Sequence, residues 1–249
     1  MSGYQGFAYV YDELTDDISY QKRAAYFDGI IQSVTHQRGI LLDLACGTGS
    51  LSEEFAKLGY DVIGADCSED MLAVAMEKRV ESGLDIIYLC QSMQNLDLYG
   101  TVDAAVCALD SLNHITELDE LQKAVDKVSL FLHPDGVFVF DVNTVYKHQQ
   151  VLGNQNFVYD YDDVYLVWKN TLLPQNTIQI DLDLFEKEGD RYFRTSESFQ
   201  ERAYTQQELE QVLKKAGLKI EAIYHEDSLQ PPMETSQRLI YVTTKENQK

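Results

Sequence analysis

In the stretch Leu41-Leu42-Asp43-Leu44-Ala45-Cys46-Gly47-Thr48-Gly49-Ser50, an apolar run ends in an acid, a glycine turn and a helix start. Glycines at 47 and 49 let the backbone turn sharply and lie against a ligand with no Cβ in the way. A second acid, Asp66, closes the next apolar run 19 residues after Gly47. That is close to the spacing of about 20 residues at which an acid reaches the hydroxyls of a ribose, and its two oxygens can take both hydroxyl protons. Together they read as a nucleotide-type site. A dinucleotide fingerprint would put a third glycine where Ser52 stands, and the charge of Asp43 would oppose the diphosphate that such a turn holds. The acid suits a ligand carrying an ammonium and a sulfonium instead. The competing readings are a tight turn with no ligand, and an Asp43 that only caps the amides of Thr48 or Gly49.

A second set of reactive types, Asp110-Ser111-Leu112-Asn113-His114, follows the fourth apolar run. There it would lie at the carboxyl edge where open α/β sheets bind ligands. His114 is suited to take a proton from an ammonium or hydroxyl near neutral pH; the plainer reading is a loop end that caps the next helix. Asp141 and Asn143, at the end of the fifth run, are expected to satisfy turn amides. Trp168, Tyr165, Asp181 and Asp183 offer an aromatic and acidic surface, although a meander's polar face is ordinarily just solvated. Arg202 and Tyr204 are expected to make a charge pair or hydrogen bond.

The elements that must hold these residues recur in order. Strand-length apolar runs at Ile40–Ala45, Asp61–Ala65, Ile86–Leu89, Val102–Ala108 and Val137–Phe140 alternate with helix-period segments, the signature of a parallel sheet wrapped by helices. Leu51, Phe55 and Leu58 share a helix face that stops at Gly59, Met71, Leu72 and Ala75 share another, and Leu118, Leu121, Val125, Val128 and Leu132 a third, with Thr116 as its expected cap and Pro134 beyond its end. Ahead of the sheet, Phe7, Tyr11 and Leu14, then Phe27, Ile30, Ile31 and Val34, predict two amphipathic helices packed over it as a lid. From Phe157 to Tyr204 the period drops to two, with Ile178, Ile180, Leu182 and Leu184 alternating with polar residues, and turn signals at Pro174-Gln175-Asn176 and Glu188-Gly189-Asp190 cut it into an antiparallel meander. Thr205-Gln206-Gln207-Glu208 is a capping box that opens a helix closed by Gly217, and Leu218–Tyr224 and Arg238–Thr244 would complete the main sheet. The expected organisation is one α/β domain from residues 1–154 and 205–249, with residues 155–204 as an antiparallel β insertion that covers substrate or makes a dimer contact.

The 249-residue chain carries 20 basic and 41 acidic residues, a net charge of −21. Nucleic acid is disfavoured as the main partner, because backbone binding needs a basic stripe. No run approaches the roughly 20 apolar residues of a membrane span, and Met1 to Asp12 has no basic-then-apolar leader, so the cytoplasm is the expected address. Cys46, Cys67, Cys90 and Cys107 form no C-x-x-C pair; each is expected to pack as a small, reduced, buried hydrophobe, with no structural metal.

Leu42-Asp43-Leu44-Ala45-Cys46-Gly47-Thr48-Gly49, with Asp66 after the second strand, resembles motif I and the ribose acid of class I S-adenosylmethionine-dependent methyltransferases. The resemblance runs from about Phe7 to Thr244. Phe7-Ala8-Tyr9-Val10-Tyr11-Asp12, Leu109-Asp110-Ser111-Leu112-Asn113-His114 and the β insertion are similar to the subgroup containing nucleotide-sugar N-methyltransferases. The resemblance implies a Rossmann-like seven-stranded sheet in the order 3-2-1-4-5-7-6 with the seventh strand antiparallel. It implies S-adenosylmethionine as cofactor, with Gly47 and Gly49 under its methionine part, Asp66 on its ribose, Met71 and Met93 flanking its adenine, and Asp43, Ala45, Cys67, Leu109 and Tyr20 also in the cofactor site. Ser92 stands where the family often has an acid facing the adenine amino group. His114 and Tyr11 are implied at the transfer site, His114 as base or orienting group and Tyr11 as a closing residue, on a small-molecule acceptor, with no metal required. The alternatives are a non-catalytic cofactor-binding or protein-interaction module on the same fold, and a methyltransferase acting on protein or RNA.

Overall fold

A computed structural model describes residues 19–160 and 163–246. The first expected N-terminal helix, with Phe7, Tyr11 and Leu14, lies outside the described residues. The second is helix α1, Tyr20–Thr35. Strands β1 (Ile40–Leu44), β2 (Asp61–Asp66), β3 (Ile86–Cys90), β4 (Val102–Cys107) and β5 (Leu132–Asn143) alternate with helices α2 (Ser50–Lys57), α3 (Glu69–Ser82) and α4 (Leu118–Phe131). After four further strands, β6 (Asn156–Asp160), β7 (Val164–Leu173), β8 (Thr177–Glu188) and β9 (Arg191–Arg202), come helix α5 (Gln206–Lys215) and strands β10 (Leu218–His225) and β11 (Arg238–Lys245). The sheet order is β10-β11-β5-β4-β1-β2-β3, with β11 antiparallel to both of its neighbours. In strand numbers of the main sheet alone this is 3-2-1-4-5-7-6, the order that the resemblance implied.

Why the central strands are nearly all apolar follows from their two covered faces. Leu42, Leu44, Ala105, Cys107, Phe138 and Phe140 point into one core with Leu121, Val125 and Val128 of α4 and Leu209, Val212 and Leu213 of α5. The alternate residues Leu41, Ala104, Val106, Val137 and Val139 point into the other, with Phe27 and Ile31 of α1 and Leu51 and Phe55 of α2. Strict alternation puts Asp43 and Asp141 on the second face, at the carboxyl ends of β1 and β5. Both are buried.

Strands β6–β9 form a separate four-stranded antiparallel sheet in sequence order. The turns between β7 and β8 and between β8 and β9 fall at the two signals the sequence carries, and Ile178, Ile180, Leu182 and Leu184 form an apolar face with Leu152, Val164, Leu166 and Met71. The helix after it starts with the expected capping box, Thr205 and Glu208 bonding reciprocally. Thr116 does not cap α4; Glu117 occupies that position, without a side-chain capping bond. Among the described residues no helix is long and apolar enough to cross a membrane.

Candidate functional site

The loop after β1 concentrates left-handed backbone: Ala45 (φ 60°), Gly47 (φ 55°) and Gly49 (φ 77°). A Cβ on Gly47 would meet nothing within 4 Å, so this glycine serves the turn and leaves open space beside it. A Cβ on Gly49 would run into the hydroxyl of Tyr88 and the methyl of Ala75. The loop is tied down from both ends. The Ala45 amide donates to the carbonyl of Ala65 (2.7 Å), and Lys78 of α3 donates to the Ser50 hydroxyl (2.6 Å).

Asp66 ties the loop to the next turn: one oxygen accepts from the Gly47 amide (2.9 Å), the other from the Ser68 amide (2.8 Å). Each carboxylate oxygen keeps a further acceptor position, so the acid positions the loop and still has capacity for hydroxyl donors. Asp43, 2% exposed, accepts from the Ser52 hydroxyl (2.5 Å) rather than from the amide of Thr48 or Gly49. Burial pushes its carboxyl up to about 6, against the lowering effect of the Ser52 hydrogen bond and with a smaller push from the charge of Asp66. An acid held near neutrality in a buried floor gains most from a cation placed above it.

One cleft is lined by Tyr20, Asp43, Ala45, Gly47, Leu109 and Ser111, with Cys46, Thr48, Ser50, Leu51 and Ala108. Asp66, Gly49, Cys67, Met71, Ser92, Met93 and His114 are not among its lining residues. Cys67 and Cys90 are exposed, at the ends of β2 and β3, with the Cys90 thiol 3.9 Å from the Cys67 carbonyl oxygen. This corrects the expectation of four buried thiols: only Cys46 and Cys107 are buried, while Cys67 follows the last residue of β2 and Cys90 ends β3, an edge strand of the sheet. Ser92 precedes the short 3-10 turn Met93–Asn95, and its hydroxyl accepts from the Asn95 side-chain nitrogen (2.8 Å). Met71 is buried in the apolar cluster that seats the insertion. Tyr11 lies outside the described residues.

The turn after β4 is also held in a costly conformation. Leu109 (φ 57°) and Asp110 (φ 53°) are consecutive left-handed non-glycines, at a cost of order 1 kcal/mol or more each. Asp141 stabilises them by accepting both amides, Leu109 at 3.0 Å and Asp110 at 2.5 Å, which is the turn-amide role the sequence suggested for it. Two arginines neutralise the acids. Arg238 donates to Asp141 (2.7 Å) and to Asp110 (2.5 Å), and Arg23 of α1 to Asp141 (3.0 Å). Burial acts to raise the Asp110 carboxyl, but the charges of Arg238, Lys147 and His114 overcome it and hold the group well below the usual carboxylate range. Lys147 is itself lowered by burial and donates to the Asn143 side chain (2.8 Å).

Asn113 closes this corner from within: its side chain bonds the backbone of Asn143 in both directions and the carbonyl of Arg202. The turn Ser111–His114 therefore meets the end of β9, and the His114 ring lies 5.2 Å from the ring of Phe199. The His114 Nε2 is 3.7 Å from Glu201, whose other oxygen is 3.7 Å from His148 Nε2. Arg202 and Tyr204 do what the sequence suggested: Arg202 pairs with Glu208 (2.6 Å) and lies over the Tyr204 ring, whose hydroxyl donates to the Ile115 carbonyl. Asp181 and Asp183 turn the opposite way and bond Ser198, Arg194 and Ser196 on the outer face. The acids on the inner face are Glu197 and Glu201, opposite Leu182 and Ile178 in the register. Arg23, Arg238, Glu201 and His148 were not singled out from sequence. Only the parity of β9, counted back from the apolar residues of β8, would have marked Glu197 and Glu201.

Residues 41–136 match the family model described as a methyltransferase domain. The Bacillus subtilis protein YqeM, which carries a provisional methyltransferase name, is 32% identical over 244 residues, 97% of each chain. The crystal structure of an S-adenosylmethionine-dependent methyltransferase from Clostridium acetobutylicum superposes with a TM-score of 0.91 at 32% identity, over 99% of this chain and 100% of that one. The sugar N-methyltransferase KedS8 from Streptoalloteichus shares the fold at 19% identity, with a TM-score of 0.81 over 96% and 93% of the two chains. Near-full-length similarity to a protein with a methyltransferase name and to a solved S-adenosylmethionine-dependent methyltransferase, on a sheet of this order, shows the family: the chain belongs to the S-adenosylmethionine-dependent methyltransferases of class I fold, enzymes whose cofactor is S-adenosylmethionine.

Proposed function

We propose that the enzyme methylates a nitrogen or oxygen of a small-molecule acceptor held between the carboxyl edge of the main sheet and the inner face of the β insertion. When bound, the cofactor supplies its methyl on sulfonium sulfur: the C–S bond breaks with its electron pair left on sulfur, carbon bonds the acceptor atom, and the acceptor gives up one proton. Gly47 and Gly49 pass beneath the methionine part, Asp43 faces its cationic end, Asp66 takes the ribose hydroxyls, and Cys67, Met71, Ser92 and Met93 bound the adenine. Ala45, Leu109 and Tyr20 complete the cofactor walls, and Tyr11 closes over the transfer site. His114 takes the acceptor's proton. Alignment and exclusion of water supply most of the acceleration, because the leaving group is already good.

The observation that carries this reading is the meeting of His114 with Phe199 and Glu201 of the insertion. The exposed ring of the 109–114 turn thus lies against the inner face of the insertion. The name of KedS8, a sugar N-methyltransferase of the same fold, supports a small acceptor. Incubating the enzyme with methyl-labelled S-adenosylmethionine and a fractionated cell extract tests it. Label should enter small-molecule fractions, and His114→Ala should slow this transfer while leaving cofactor affinity intact; label confined to protein or RNA would overturn the small-molecule assignment.

A further inference from the structure

Glu201 is 5% exposed, and a carboxylate so buried must be paired or hydrogen-bonded to stay charged. Its hydrogen bond among the described residues is a long one, from the Asn143 side chain at 3.4 Å. Two histidines flank it, each with Nε2 at 3.7 Å from one of its oxygens. That separation is longer than a direct hydrogen bond, and it suits a pair that tightens or takes a bridging water when substrate binds.

The tautomer of His148 follows from its other nitrogen. Nδ1 lies 2.9 Å from the carbonyl oxygen of Asn176, which can only accept, so Nδ1 carries a proton. The ring is fully buried, and its Nε2 has no hydrogen-bond partner. A bare Nε2 would aim its lone pair at the Glu201 carboxylate. A proton placed between Nε2 and Oε2 removes that repulsion. The remaining oxygen, Oε1, faces Nε2 of His114 and orients that ring as its Nε2–H form, with Nδ1 as the basic atom. The other charged groups at this corner are Asp110 of the β4 turn, Asp141 of β5, Lys147 of the π-helical turn Lys147–Leu152, Arg238 of β11 and Arg23 of α1; three bases face the two acids.

We infer that Glu201 is the positioning residue of the methyl transfer: it fixes His114 with Nδ1 free to take the acceptor's proton, stabilises the imidazolium that results, and is itself held by a proton shared with His148. This rests on the proposed role of His114. Glu201→Gln is the informative variant, since its amide oxygen can accept from His114 Nε2 and its amide nitrogen can donate to His148 Nε2. The geometry survives and the charge does not.

Ring nitrogens of the nitrogen-15-labelled full chain, followed by long-range proton–nitrogen NMR between pH 6 and 9, read the outcome directly, with His114→Gln and His148→Gln assigning the signals. In the wild type His148 should carry a proton at Nδ1 and share one at Nε2. In Glu201→Gln its Nε2 should become a bare acceptor, and the protonated fraction of His114 at pH 7 should fall severalfold. Glu201→Asp should restore part of that fraction, which a purely structural loss would not do. A His148 Nε2 without a proton throughout this range in the wild type, or a His114 spectrum indifferent to Glu201→Gln, overturns the inference. Should Glu201→Gln lose its native dispersion, His148→Gln replaces it: Glu201 no longer shares a proton with a ring, its full charge acts on His114, and the protonated fraction of His114 at pH 7 should rise; an unchanged His114 spectrum overturns the inference. S-adenosylmethionine affinity, measured separately, should be unchanged in all four variants; its absence in the wild type would count against the cofactor site and not against the ring assignments.

Discussion

Replacing Asp43 with Asn removes a charge from the floor of the cleft while keeping an oxygen for the Ser52 hydroxyl. A carboxyl moved by burial from 3.8 to about 6 carries ~3 kcal/mol against its charged form. The sign is fixed by which state binds more protons. Below about pH 4 the group is neutral in folded and unfolded chains alike, between about 4 and 6 it ionises in the unfolded chain first, and the stability it contributes at low pH is lost as pH rises through 6. Asp43→Asn should therefore stabilise the ligand-free protein at pH 8, by ~2 kcal/mol once the weaker neutral bond from Ser52 is deducted. For a chain this long that is about 4–8 °C in Tm, shrinking toward zero at pH 4. Cofactor binding should move oppositely. A cation roughly 5 Å from the carboxylate at an effective dielectric of about 20 is worth ~3 kcal/mol, so the variant should bind S-adenosylmethionine up to ~100-fold more weakly at pH 8. Calorimetry in two buffers of different ionisation enthalpy at pH 6 should show about half a proton released on binding to the wild type and none to the variant. Equal affinity, or a Tm gain that does not grow with pH, would refute the assignment of Asp43 to the cationic end of the cofactor.

Three further outcomes follow from the geometry. Arg238→Met leaves Asp110 and Asp141 facing each other without their shared cation and should cost ~3–5 kcal/mol in denaturant unfolding; because Asp110 is held low by that arginine, the stability it contributes is present above the usual carboxylate range and fades as pH falls, so the wild-type advantage should narrow in acid. Gly49→Ala should cost ~2–4 kcal/mol, about 1 for the left-handed backbone and the rest for overlap with the Tyr88 ring, and Tyr88→Phe in the same chain should recover part of the second component, because the overlapping atom is the Tyr88 hydroxyl. A thiol reagent applied to the native protein should modify Cys67 and Cys90 and spare Cys46 and Cys107, whose thiols burial raises well above 9; mass mapping of four equally reactive thiols would contradict the fold at these strands.

Most of the frame could be read from sequence because it depends on local rules. Apolar runs with helices between them mark the parallel strands, period two marks the meander, and Thr205 with Glu208 marks a helix start, each within a dozen residues. The glycine loop was legible for the same reason, since the left-handed turn at Gly47 and Gly49 and the bond from the Gly47 amide to Asp66 follow from their spacing. What was not legible depends on pairing between distant elements. Arg238 meets Asp110 only because β11 lies antiparallel beside β5, with Arg238 opposite Asn143, and Glu201 meets two histidines only because the insertion returns to the 111–114 turn. Asp181 and Asp183 drew attention as the acids of a visible alternation, but that same alternation puts them on the outer face, with Glu197 and Glu201 inside. Thr116 is a better capping residue than Glu117, yet the helix starts one residue later.

Equilibrium dialysis of methyl-labelled S-adenosylmethionine against the wild type and Asp66→Ala, with NAD as competitor, tests the central claim most directly. The wild type should bind the cofactor at micromolar concentration and ignore NAD, and the variant, which loses the bridge between the Gly47 and Ser68 amides and the acceptor proposed for the ribose hydroxyls, should bind at least tenfold more weakly. Equal binding by the two proteins, or displacement of the label by NAD, would contradict it.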